Sequence, residues 1–403
     1  MKIKKIIKII KEALTPLGLR LLSGRVGSGF AWYLDRYVSG DHSALETVFI
    51  TDDGREIPVY SDYRYSVKLG WSYFKGLYVL SNLIARGKAS QDENSFFTKA
   101  IGSRTLGASL TEINDVASKA IKRNKSLFLN GTEDADGLSE FLPDEKEIKK
   151  TIDFYRRGHA AMFRKLAAAG VYNVPSDASI LEIGYISGGH SIHAYELLGF
   201  RASGIDNNYS GLVNRSFLHQ HIKDLTGSKV TYLQGDITSQ TELSSNSFDV
   251  IFSASVLEHI SDVAGAFAEM HRLLKPGGIV IHNYAPYFSH DGGHALGIGD
   301  SPWAHVRLNE VEYLRYLNEL RPYEASVAAD WMKGAMNRNV PQWRMQRFVA
   351  MAGFRIALWM ARPSPRKFMA DLSPQIISEC YANTPDIGIQ DLVSQSVSFV
   401  AVK

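Results

Sequence analysis

From about residue 150 onward, short apolar runs alternate with segments of helical periodicity. The runs are ASILEIG, FRASGID, KVTYLQGD, SFDVIFSAS and GGIVIHNYA. Strands separated by helices in this rhythm predict parallel βαβ units, which bind ligands beyond the carboxyl ends of their strands. The segment before them, IDFYRRGHAAMFRKLAAAG, reads as a helix that Gly170 stops. Two later runs, GFRIALWMA and the terminal SVSFVAVK, predict an antiparallel pair at the sheet edge. Between the fifth run and that pair, LNEVEYLRYLNELRP to QWRMQRFVAMAG reads as a helical insert over about residues 306–350, placed to cap a pocket at the strand ends.

Upstream the texture differs. Residues 23–150 are rich in aromatics and broken by Gly, Asp and Ser, which predicts a mostly helical accessory region whose aromatic stripe is core. A short hairpin is expected around ETVFITDDGREIPVY, where Asp53-Gly54 is a turn signal. In residues 1–22, Ile3, Ile6, Ile7, Ile10, Leu14 and Leu17 share one side of a helix and Lys4, Lys5, Lys8 and Lys11 fall largely elsewhere. Such a face suits either the surface of an anionic membrane or docking on the protein itself. Residues 151–403 are then one domain.

Composition narrows the classes further. At 403 residues, 45% hydrophobic and 22% charged, the chain has ample material for a core. A formal charge of +3 argues for neither a nucleic-acid binder nor an acidic scaffold. The clusters around Arg307 and in QWRMQRF read equally as a solvated helix face. The single cysteine, Cys380, excludes an intrachain disulfide framework and fits a reducing compartment, so a cytoplasmic protein, at most peripheral at the inner membrane surface, is expected.

The chemistry should lie at the strand ends. The first run carries Glu182 and Gly184, then Ser187-Gly188-Gly189, where glycine permits a sharp turn and lets backbone N–H groups approach a ligand. The second ends at Asp206-Asn207, with Asp206 placed 24 residues beyond Glu182, the separation at which an acidic side chain accepts from ribose hydroxyls. The third ends Asp236-Ile237, an acceptor beside an apolar wall for adenine, and the fourth runs through Ser253 and Ser255 into Leu257-Glu258-His259.

Taken in order, LEIGYISGG, GIDNN, GDI, FDVIFSASVLEHI and LLKPGG resemble the class I S-adenosylmethionine-dependent methyltransferases, over roughly residues 155–403. The resemblance implies a doubly wound, Rossmann-like seven-stranded α/β sheet and S-adenosyl-L-methionine as cofactor. It implies that Gly184 and Gly188 face the methionine part, Asp206 with Asn207 the ribose, and Asp236 with Ile237 the adenine. Ser253 would lie beneath the cofactor and Glu182 would organise the loop or the amino group. The family has glycine where Ile186 stands. A dinucleotide would press its pyrophosphate there, whereas S-adenosylmethionine carries no phosphate, so the departure disfavours NAD more.

Methyl transfer to a hydroxyl also needs a proton acceptor, most readily histidine. After the fifth strand, IHNYAPYFSHDGGHALGIGDSPWAHV places His294, His305 and His290 as acceptor-side candidates, with Trp303 either walling a pocket or anchoring the core. Glu258-His259 resembles part of the metal motif of ubiquinone-biosynthesis O-methyltransferases, but Ser255 stands where a second glutamate belongs, so no metal is expected. NYAPY follows the fifth strand and lacks the paired prolines of base-amino methyltransferases, so no nucleic-acid partner is expected. The expected activity is O-methylation of a small molecule, lipid precursor or saccharide. A non-catalytic binding protein on the same fold, or a protein or nucleic-acid methyltransferase, are the alternatives.

Overall fold

The computed structural model describes residues 45–60, 75–100, 107–128, 145–185, 189–207, 219–290, 292–294, 301–322 and 325–403. The amphipathic segment 1–22 lies outside them. Two compact units divide the chain, residues 1–149 with 318–324, and residues 150–317 with 325–403.

The first unit holds the expected hairpin. Strands β1 (Leu45–Ile50) and β2 (Glu56–Tyr60) pair antiparallel, and Gly54 at φ 82° makes the turn. Helices α1 (Lys75–Ala85), α2 (Gln91–Ala100) and α3 (Leu110–Arg123) share a core that includes Leu77, Leu80, Phe97, Ile113 and Ala117. Ser109 and Glu112 form a capping box that satisfies orphan N–H groups at the start of α3.

In the second unit, α4 (Glu145–Ala168) leads into a seven-stranded sheet of order β5-β4-β3-β6-β7-β9-β8. Its strands are β3 (Ser179–Ile183), β4 (Arg201–Asp206), β5 (Thr231–Gln234), β6 (Phe248–Ala254), β7 (Leu274–Tyr284), β8 (Arg355–Pro363) and β9 (Ser394–Val402). The first five pair parallel, and β9 runs antiparallel between β7 and β8. The two late apolar runs therefore do form an antiparallel pair at the edge. The exposed outer strand carries Arg355, Arg362 and Pro363, residues that discourage pairing with another chain.

Strand periodicity explains why both faces are covered. Leu181 and Ile183 point into a core with Phe267 of α6 (Val263–Leu273) and Met345 of α10 (Gln342–Met351), whereas Ile180 points to the opposite core with Phe163 of α4 and Ile192 of α5 (His190–Glu196). The sheet is doubly wound. Because β3 hydrogen-bonds to β4 on one side and β6 on the other, the chain reverses its direction of winding between β3 and β6, and a crevice opens at their carboxyl ends.

The helical insert after β7 contains α7 (Ala304–Arg307), α8 (Glu310–Leu320), α9 (Ala325–Asp330), a π-helical turn Trp331–Ala335, and α10. Here the expectation of a solvated Arg307 is corrected. Its side chain is 2% exposed, its Nε donates to Glu379 Oε2 at 2.6 Å, and its Nη1 donates to Ser301 Oγ and the Pro302 carbonyl. A buried guanidinium stripped of its carboxylate is strongly destabilising. Glu379→Ala is expected to lower the unfolding free energy by about 3–5 kcal/mol, read by denaturant titration; a loss below about 1 kcal/mol would mean the pair is not buried as described.

Candidate active site

The crevice between β3 and β6 widens into a cleft of about 350 Å³. Gly184, Asp206, Asn207, Gly235, Asp236 and Ile237 line it from the first three parallel strands, and Ser255, Val256, His259 and Ile260 from the segment after β6. Glycine is required at 184 on two counts. Its φ is 78°, and a Cβ there would meet Val256 Cγ2 at 2.3 Å. Gly189, at φ 64°, caps the N-terminus of α5 against His219 and Tyr232. Ile186 and Gly188 lie outside the described residues.

Asp236 accepts from the backbone N–H and hydroxyl of Thr238, which holds its carboxylate at the rim. Two other expected cofactor residues are placed differently. Ser253 is fully buried with its hydroxyl 2.6 Å from His282 Nδ1, and it does not line the cleft, whereas Ser255 does. Glu182 lies on the α5 side of the sheet, 7% exposed, and its Oε2 has no hydrogen-bond partner. The Ser191 hydroxyl that bonds it also meets His159 Nε2 at 3.0 Å, and the His159 ring stacks on Tyr195. Burial, only partly offset by the Ser191 hydrogen bond, pushes the Glu182 carboxyl up to about 8.

The three candidate histidines have separate fates. His305 is 3% exposed and its Nε2 lies 3.0 and 3.1 Å from the Tyr287 and Ser289 carbonyls. His290 is 1% exposed and stacks on Phe368. Trp303, at 1%, anchors the core through a bond from its indole to the Leu392 carbonyl. His294 alone of the three reaches the end of the fourth parallel strand. It follows Gly292, where a Cβ would lie 2.0 Å from the Pro286 carbonyl oxygen, and it adopts φ 57°, uncommon for a residue with a side chain. Its Nε2 stands 3.9 Å from Glu258 Oε1, and its ring lies edge-on to His259.

Glu258 and His259 sit on the 3₁₀ turn Leu257–His259. The Ala285 N–H donates to Glu258 Oε1 at 3.2 Å, and burial raises this carboxyl to about 7. The π-helical turn of the insert and the residues just after it clamp the same place: Asn337 N–H donates to the Glu258 carbonyl, His259 Nδ1–H to the Ala335 carbonyl, and the Trp331 indole to the Gly293 carbonyl. Sequence reasoning did not anticipate Trp331, since nothing in its neighbourhood distinguishes it from a core aromatic.

Residues 181–282 match the family described as Methyltransferase domain. The chain is 30% identical over 100 residues to a sterol 24-C-methyltransferase of Yarrowia lipolytica, covering 25% of this chain and 26% of that protein. It is 34% identical over 55 residues to a ubiquinone biosynthesis O-methyltransferase of Vibrio cholerae, covering 14% and 22% respectively. It thus spans about a quarter of the length of the curated relatives it matches first. Among solved structures, phosphoethanolamine N-methyltransferase 2 of Haemonchus contortus, in complex with S-adenosyl-L-methionine, aligns with a TM-score of 0.37 at 18% identity, covering 66% of this chain and 62% of that one. Residues 181–282 of the chain thus carry a methyltransferase domain.

The raised Glu182 carboxyl gives this domain a pH signature. Between the unfolded value near 4.5 and the folded value of about 8, the folded protein holds a proton that the unfolded chain has released. Stability from this residue is therefore full below about pH 4.5 and declines as pH rises toward 8. Glu182→Gln, neutral throughout, is expected to flatten the dependence of Tm on pH across this window in the ligand-free protein; an unchanged slope would contradict the burial argument.

Proposed function

We propose that the protein transfers a methyl group from S-adenosylmethionine to an oxygen of a small molecule or saccharide. The observation that carries this reading is the cleft at the β3/β6 switch point, lined in sequence order by Gly184, Asp206, Asp236 and Ile237. These residues fit the cofactor: a backbone with no side chain at Gly184, a carboxylate at Asp206 for paired ribose hydroxyls, and the apolar wall of Ile237 for a flat base. When bound, S-adenosylmethionine supplies an electrophilic methyl on a sulfonium.

The chain's own contribution is placement. Holding the acceptor oxygen ~3–3.5 Å from the methyl carbon supplies much of the rate, since the leaving group is already good. The acceptor enters past His259, Ile260 and Ser261, the cleft wall nearest the polar group of Glu258 and His294. A hydroxyl acceptor must lose a proton, and this is where the side chains able to assist it converge. Trp331 of the insert packs against the rings of His259 and His294, a placement that supports a small acceptor over a folded protein or a duplex.

Transfer of radiolabel from the methyl of S-adenosylmethionine to a panel of hydroxyl-bearing small molecules tests the reading. Turnover on at least one is expected, with Asp206→Ala raising KM for S-adenosylmethionine about 10- to 100-fold, the loss of a hydrogen bond to a charged group. No transfer to any acceptor by protein that binds the cofactor product would favour a non-catalytic binding role.

A further inference from the structure

We infer that Glu258, His259 and His294 form a binding site for a divalent first-row transition ion at the acceptor end of the cleft. Among the described residues, these are the three whose ligand atoms all lie within 4.8 Å of one another. The motif around Glu258 is incomplete in sequence because Ser255 replaces a second glutamate, and the third donor comes instead from the loop after β7, through a residue far along the chain. Two nitrogens and one carboxylate oxygen are the donor set of open zinc sites and of related divalent sites that leave positions for substrate.

Three features of the geometry suit a metal rather than a packed polar cluster. Glu258 is 3% exposed and its Oε2 has no hydrogen-bond partner, a costly arrangement that a cation would relieve. A carbonyl can only accept, so His259 and His294 both carry their proton on Nδ1, donated to Ala335 and Gly292 at 2.6 and 3.0 Å. Nε2 is then the ring atom each histidine would offer a metal, the arrangement by which outer hydrogen bonds orient metal-bound imidazoles. Finally, His294 is held at φ 57°, backbone strain of the kind that persists where function requires a side chain in one place. Tetrahedral ligand atoms lie ~3.4 Å apart, two bonds of ~2.1 Å, so ion binding draws the His294 ring inward from its 3.9 Å separation.

His259 lines the cleft, so the open coordination positions face the acceptor. On the methyl-transfer reading, a hydroxyl bound there releases its proton to solvent more readily. The resulting oxygen lone pair forms the new O–CH₃ bond as the S–CH₃ pair returns to sulfur. This selects acceptors with two adjacent oxygens, which can chelate.

Untagged, chelator-stripped protein would be titrated with Co²⁺, followed by its visible absorption, and then with Zn²⁺ in competition. S-adenosylhomocysteine would be titrated separately to report on the cofactor cleft alone. Saturable binding of one Co²⁺ per chain, displaced by Zn²⁺, is expected, with Glu258→Gln and His294→Ala each weakening it at least about 10- to 100-fold while homocysteine-product binding persists. Absence of saturable Co²⁺ binding, or unchanged affinity in His294→Ala, would overturn the site. Should Glu258→Gln fail to fold, the loop variant His294→Ala decides.

Discussion

The close approach of the Gly184 backbone to the Val256 side chain at the β3/β6 crevice is the constraint on which the rest of this domain depends. Gly184 ends β3 directly against Val256, the residue that carries the chain away from β6, and only a residue without Cβ, at positive φ, fits there. The carboxyl ends of β4 and β5 present Asp206 and Asp236 over the crevice, while Ile237 closes one wall. The sheet's apolar interior on both faces holds these ends in place: Leu181 and Ile183 are pinned against α6, and Ile180 against α4 and α5.

The same packing produces two buried carboxyls with different consequences. Glu182, under α5, is a carboxyl that burial keeps protonated and uncharged through the neutral range, tied through Ser191 to a neutral His159. Glu258 is buried at the cleft mouth, where the insert returns to clamp its backbone through Asn337 and to seat His259 through Ala335. The π-helical turn Trp331–Ala335 belongs to this clamp, in keeping with the frequent placement of π turns beside functional sites. The insert thus holds Glu258, His259 and the Gly293 carbonyl in one place beside the cleft.

Much of this was legible in the chain because it is encoded locally. Five apolar runs became parallel strands, two late runs became the antiparallel edge, and Asp53-Gly54 marked its hairpin. What local pattern could not distinguish was the direction in which a polar side chain faces. His290, His294 and His305 share one loop and one composition, yet Phe368 and the Tyr287 carbonyl engage the first and last, contacts made by packing rather than by sequence spacing. Arg307 looked solvated because its partner, Glu379, is 72 residues away. Ser253 and Ser255 share strand parity, but β6 ends at Ala254 and Ser255 turns to φ 56°, so only the second reaches the cleft.

On the proposed reading, the switch-point cleft lined by Gly184, Asp206 and Ile237 binds S-adenosylmethionine although the sequence has Ile186 where glycine is usual. Calorimetric titration with S-adenosylhomocysteine, with NAD run alongside under the same conditions, tests it most directly. The account predicts saturable binding of S-adenosylhomocysteine alone, at one equivalent per chain. Binding of NAD, or of neither compound by folded protein, would contradict it.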